Sequence, residues 1–222
     1  QEVGSFYVLQ VLGVFQTDEE VLAYTTTDGK TIQPASIAGD FKYQDTNGDG
    51  VIDDLDRVFV GSYQPKVYYG ANFTVSYRNF DFSLDLYGNA GNQVYNGKKA
   101  FRQQAEDNIE KDVAYNRWSR GSGIQDEPGA NSGNQPASTY FVESGDFIRI
   151  NNVSLSYNLP QQMIERLKMS SARVFITSQN LFTLKKYSGF TAELPGDPTR
   201  SGIELNAYPT SRTIGGGINV SF

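Results

Sequence analysis

From Val67 to Tyr77 the chain alternates between apolar and polar positions without a break. Val67, Tyr69, Ala71, Phe73, Val75 and Tyr77 fall on one parity, and Tyr68, Gly70, Asn72, Thr74 and Ser76 on the other. A period of two sends successive side chains to opposite faces of a strand, and this run is about twice as long as an ordinary soluble strand. After Arg78-Asn79 the alternation resumes, with Phe80, Phe82, Leu84 and Leu86 on one face and Asp81, Ser83, Asp85 and Tyr87 on the other. The pattern predicts a long hairpin closed by a minimal turn. One face is apolar and ends in aromatic rings, and the other is polar.

Further long strands are predicted at Ser5–Phe15, Asp146–Tyr157, Arg173–Phe182 and Arg212–Phe222, giving about six in all. Their connections alternate in length. The hairpin turn is tight and the link after Tyr157 has about 15 residues, whereas the others have about 50, 50 and 30. A soluble domain rarely carries such long unstructured links, but outer-membrane barrels combine short periplasmic turns with long extracellular loops. On this reading residues 16–66, 91–143 and 183–211 face outside, and the final strand ends in the periplasm. The competing reading is a sheet packed on a soluble core. The smallest membrane barrels need about eight strands, so the chain reads as part of a larger one. Short helices are predicted at two capped sites, after Thr17-Asp18-Glu19-Glu20 and from Pro160 through Gln161–Lys168, with a third over Lys98–Glu110.

Composition narrows the function. The 222 residues include 22 Gly, 14 Tyr and 14 Phe, which suits strands and turns. No run of about 18 apolar residues is present, so no transmembrane helix is predicted; a membrane strand needs only about ten residues, every second one apolar. The net charge of -6 offers no basic stripe, so nucleic acid is not an expected partner. Cysteine and histidine are both absent. Their absence removes disulfides, thiolate chemistry, Ser-His-Asp catalysis and the usual zinc sites.

One motif carries chemistry. Residues 45–56 read DTNGDGVIDDLD and match the twelve-residue calcium loop. The ligand positions hold Asp45, Asn47, Asp49, the Val51 carbonyl, Asp53 (through water) and Asp56, with Gly50 at the sharp turn and Ile52 as the anchor. The twelfth position is Asp rather than the longer Glu, and both flanks look extended rather than helical. A structural calcium staple is therefore expected, not a sensor. The competing reading is an acidic turn without metal. A glycosidase pair is not supported, because Asp81 and Asp85 on one strand face stand about 13 Å apart.

Taken together these residues resemble the C-terminal third of SusC/RagA-type TonB-dependent transporters of Bacteroidetes. The resemblance runs through GSFY at Gly4–Tyr7, GVFQ at Gly13–Gln16, the Asp45–Arg57 loop and VFVGSYQPKVYYG ending at Gly70. It continues through NFDFSLDLYGNAGNQVYN at Asn79–Asn96, Arg117-Trp118, GDFIRINNVSLSYNLP at Gly145–Pro160, VFITSQNLFTLKKYSGF at Val174–Phe190 and YPTSRTIGGGINVSF at Tyr208–Phe222. One departure is Thr191-Ala192-Glu193, where the family reads Asp-Pro-Glu.

The resemblance implies that residues 1–222 are the C-terminal part of a 22-stranded barrel in the outer membrane of a Gram-negative bacterium. The calcium loop at 45–56 would lie within an extracellular loop. The implied partners are the N-terminal remainder of the barrel with its plug, a SusD-like surface lipoprotein, TonB acting through the missing N-terminal part, outer-membrane lipid, and oligosaccharide or peptide cargo. An importer piece of this kind is not an enzyme. Candidate cargo contacts are Asn72, Thr74, Asp81, Asp85 and Tyr87 on the hairpin's polar face, with Tyr115 and Trp118 in a loop, because rings stack on sugars. Their ordinary alternatives are solvation of the lumen and, for Trp118, loop packing. The alternative for the whole chain is a secreted, calcium-stabilised β-sandwich that binds glycans.

Overall fold

The computed structural model describes residues 3–101, 108–109, 111–130, 135–166, 168–194, 202–205 and 207–222. In chain order the strands are β1 (Ser5–Leu9), β2 (Val11–Val14), β3 (Phe41–Tyr43), β4 (Arg57–Ser62), β5 (Val67–Tyr77), β6 (Phe80–Ala90), β7 (Gln93–Asn96), β8 (Val142–Ser144), β9 (Phe147–Asn158), β10 (Ser171–Lys185), β11 (Ile203–Glu204) and β12 (Thr213–Ser221). Short helices are α1 (Asp18–Ala23), α2 (Gly97–Phe101), α3 (Lys111–Asn116) and α4 (Gln161–Arg166). Among the described residues no helix is long and apolar enough to cross a membrane.

The chain forms two compact units. The second comprises Pro65–Asn92, Ser144–Glu193 and Ala207–Phe222. It is built on a five-stranded antiparallel sheet in the order β12-β10-β9-β6-β5. The predicted hairpin is β5 and β6, paired without interruption from Tyr77↔Phe80 to Val67↔Ala90. Arg78 takes the left-handed conformation in the turn.

The alternation gives this sheet two unlike faces. Tyr69, Phe73, Leu84, Ile150, Leu155, Val174, Ile176, Leu184 and Ile218 share the apolar face by register. That face is uncovered: Phe73 is 55% exposed, Ile176 54% and Ile218 67%. The parity changes in β9 at Asn151, an extra residue between the pairs Asp85↔Asn152 and Leu86↔Ile150. A matching irregularity in β10 at Asn180 and Leu181 keeps Phe182 and Leu184 on the apolar side. Rings cluster where the turns lie, with Phe80 and Tyr157 4.7 Å apart.

All long connections leave from the other end of the strands. These connections supply the first unit, which comprises Gln1–Gln64, Gln93–Glu143 and Leu194–Asn206. It holds the small pairs β1-β4 and β2-β3 and the sheet β11-β7-β8. Its core is Leu9, Val14, Phe41 and Tyr43, with Ile52, Trp118 and Tyr140 packed against them.

The all-β expectation stands, with differences of detail. The predicted strand Ser5–Phe15 is two short strands, β1 and β2, that pair outside the five-stranded sheet. A register shift at Phe6/Tyr7 and a second between Val11 and Gly13, where Gly13 has φ 148, break the run and turn it to two different partners. The predicted Lys98–Glu110 helix begins as α2, and residues 102–107 and 110 of it lie outside the described residues. Thr17 caps α1 by accepting from Glu20 N–H, while the Glu20 carboxylate reaches the Gln16 N–H rather than the cap itself.

Candidate functional site

The polar face of the five-stranded sheet is laced side to side. Ser76 Oγ donates to Asp81 at 2.6 Å and Asn158 Nδ2 donates to its other oxygen at 2.9 Å. The Asn72 amide donates to Asp85 one strand away. Thr74 stands opposite Ser83 and is exposed. All five hairpin candidates therefore share one face by register, and the carboxylates of Asp81 and Asp85 are held by neutral donors. Such a face hydrates well and offers hydroxyls, amides and two anions to a polar solute.

Tyr87, the fifth, belongs to a denser arrangement. Its hydroxyl donates to Glu193 and accepts from Arg149 at 3.0 Å. Arg149 is 5% exposed, pairs with Glu193, and donates from Nε to Thr183 at 2.9 Å. Its guanidinium also lies 5.5 Å from the Phe147 ring centre. This cluster ties the Glu193 segment back to the polar face. Sequence reasoning did not find it, although a cation set between Ile148 and Ile150 requires an inward partner.

At the rim where the long connections begin, Asp146 accepts from Gly91 N–H at 2.7 Å and pairs with Lys186 at 3.0 Å. The Gly91 N–H, opposed by a smaller effect of burial and aided by Lys186, holds this carboxyl below its usual range.

In the first unit, Tyr115 is exposed on α3, and Lys111 approaches its ring at 5.6 Å. Trp118 is engaged instead in packing. Its indole N–H donates to Gln16 at 3.1 Å, and its ring lies so close to Gly39 that a Cβ there would stand 2.7 Å away. The ordinary role of a loop anchor fits Trp118 better than sugar stacking.

The acidic loop lies between β3 and β4, so both flanks are extended as the pattern predicts. Asp45, Asp49, Asp53 and Asp56 turn inward to backbone donors, as does the Asn47 amide oxygen, while Asp54 is exposed and pairs with Arg57 at 2.8 Å. Asp45 accepts from Gly48 and Gly50, Asn47 from Asp49, Asp49 from Val51, and Asp53 from Leu55. Gly48 and Gly50 are both left-handed, as that winding requires. Asp56 is 0% exposed and accepts from Thr46 at 2.7 Å and Asp53 at 2.9 Å. Val51 shows its side chain to solvent, while Ile52 packs on the core. Among the described residues no group of three or more acidic side chains is arranged around a common metal position. In this conformation amide N–H groups satisfy the inward-turned carboxylates.

An uncovered apolar face, a hydrated opposite face, open edges and long connections at one end define a piece of the wall of a large antiparallel β-barrel. Comparisons with known proteins agree. No family model matches the chain. A TonB-dependent receptor of Formosa agariphila is 32% identical over 235 residues, taking in all of this chain and 23% of the relative. The TonB-dependent receptor SusC of Bacteroides thetaiotaomicron is 29% identical over 81% of this chain and 17% of that protein. The solved structure of the RagAB peptide importer in the open-open state superposes with a TM-score of 0.71 at 21% identity, over 98% of this chain and 22% of that one. The chain is a barrel portion of a SusC/RagA-type TonB-dependent receptor. It spans under a quarter of the length of the two curated Formosa agariphila relatives matched along its whole length at 32% and 27% identity.

Proposed function

We propose that this chain supplies wall and outer loops to an importer in the outer membrane of a Gram-negative bacterium, driven through TonB and working with a SusD-like surface lipoprotein. The uncovered apolar face carries this reading. A soluble β-sandwich would bury that surface against a second sheet, whereas lipid covers it in a barrel. The remainder of the barrel, with its plug, would pair with the free edges of β5 and β12, because no strand edge can stay open in hydrocarbon. The cargo would be an oligosaccharide or a peptide: the hydroxyl- and amide-rich polar face suits either, and the similar RagAB structure is that of a peptide importer. The test is uptake of a fluorescent oligosaccharide and a fluorescent peptide by cells with and without the receptor that carries this chain. Loss of one uptake on deletion supports the reading. Unchanged uptake of both, or a receptor that is extracted without detergent, would sink it.

The loop at 45–56 is proposed as a calcium staple within an outer loop. Its support is the ligand-type residues at the six coordinating positions and the two left-handed glycines. Calcium is expected to slow protease cleavage within 45–56 by about tenfold, equivalent to about 1.4 kcal/mol of local stabilisation. Asp45→Ala should abolish the protection. Cleavage that is equally fast in calcium and in chelator would show an amide-held turn without metal.

A further inference from the structure

Among the described residues, the neutral partners of Arg149 belong to the sheet or its margin, and its one carboxylate partner does not. Nε donates to Thr183 on β10 at 2.9 Å, Nη1 to the Tyr87 hydroxyl on β6 at 3.0 Å, and Nη2 to Thr210, just before β12, at 3.4 Å. Glu193 comes from the connection after β10 and meets the guanidinium through one oxygen: Oε2 takes Nη1, while Oε1 accepts from the Tyr87 hydroxyl. The Nη1–Nη2 fork is therefore half used, because 3.4 Å to a hydroxyl is a weak bond. The cation is 5% exposed, whereas the Glu193 side chain is 35% exposed and Thr210 is open to solvent. The charges at this end of the polar face balance. By register Lys185 and Asp85 lie on the same side of the sheet, Lys185 two residues from Thr183 and Asp85 two residues from Tyr87. Lys185 donates to the Gly189 carbonyl, and Asp85 accepts from Asn72. Arg149 and Lys185 offset Glu193 and Asp85, so withdrawal of Glu193 leaves one net positive charge.

We propose that Arg149 is a docking point for a carboxylate group of the imported solute, which takes the place of Glu193 and releases the segment that Glu193 ties down. The inference rests on the reading that the polar face lines the cargo path. A free carboxylate can lie side-on across Nη1 and Nη2 and make two parallel bonds where Glu193 makes one. The exchange is carboxylate for carboxylate, so the buried cation keeps a counter-charge. Glu193 is already partly in water and returns to it at small cost. Solute and Glu193 compete for one cation, so binding shifts the segment toward its released form. A peptide C-terminus and a uronic acid both supply the group.

The test is fluorescence anisotropy of the full-length receptor in detergent with four labelled probes: hexaalanine with a free C-terminus, its C-terminal amide, trigalacturonate and maltotriose. An acid probe is expected to bind about tenfold more tightly than its neutral counterpart, and the pair that shows this names the source of the carboxylate. Glu193→Gln, which removes the competitor from Arg149, should tighten that probe by about a further tenfold, whereas a purely structural pair gives no gain. In the unaltered receptor the same probe should speed protease cleavage beside Glu193, and its neutral counterpart should not. Acid and neutral probes held alike, or cleavage beside Glu193 unchanged by the acid probe, overturns the site. Receptor-dependent uptake of acid and neutral probes alike sinks the site and leaves the importer reading intact, while a receptor extracted without detergent sinks that reading itself.

Discussion

Gly88→Val is expected to destabilise the five-stranded sheet by about 3 kcal/mol, combining overpacking with a lost hydrogen bond. A side chain at position 88 has nowhere to go. Its Cβ would collide with the Phe147 carbonyl oxygen and stand 2.7 Å from Tyr69 Oη. Tyr69 reaches across the bare glycine from β5 to β9, where its hydroxyl donates to that same carbonyl at 2.8 Å. The glycine thus lets one side chain bridge three strands. Tyr69→Phe should lose only the hydrogen bond, about 1 kcal/mol. Gly215→Ala is the control on the same sheet, since a Cβ there meets nothing within 4 Å. Urea unfolding of the receptor in detergent reads all three. A valine variant as stable as the alanine control would refute the bracket.

Arg149→Leu is expected to weaken the wall by about 3 kcal/mol, toward the low end for breaking a buried pair because Glu193 is partly open to water. The leucine would leave Glu193 and the Tyr87 hydroxyl without their cation, and Thr183 without its donor. The segment around Glu193 should then be cut rapidly by protease, while the rest of the sheet resists. Glu193→Gln should release the same segment. The double variant should be no worse than the worse single, a coupling above about 1 kcal/mol, because the two residues act as one latch. Additive effects would mean that the two contribute separately.

The wall was legible from sequence because lipid and water impose a strict period. The prediction for β5 matches to the residue, that for β6 starts at the observed residue and stops short of Ala90, and those for β9, β10 and β12 lie within a few residues of the observed ends. Periodicity fails where the lattice itself is irregular. At Asn151 and at Asn180-Leu181 the parity shifts, and between Ser5 and Phe15 one apparent run serves two partners. Short strands such as β7, β8 and β11 carry too few residues to show any period. The latch was hidden for another reason: Arg149 and Glu193 are 44 positions apart, and Glu193 lies in a connection with no repeating pattern. For the acidic loop, spacing alone located the turn, the inward-facing carboxylates and the Ile52 anchor. For Trp118 the packing role was among the readings the sequence allowed, but its partner Gly39 was not, since that contact depends on how distant segments of the first unit fold together.

The three long connections emerge from one end of the strands, and the opposite end carries only the Arg78-Asn79 turn and the short link that holds α4. Exchanging residues in the long segments beyond the strand ends and away from the Glu193 latch touches none of the pairs in the five-stranded ladder. The connections can therefore diversify by cassette-like replacement while the scaffold beneath stays constant.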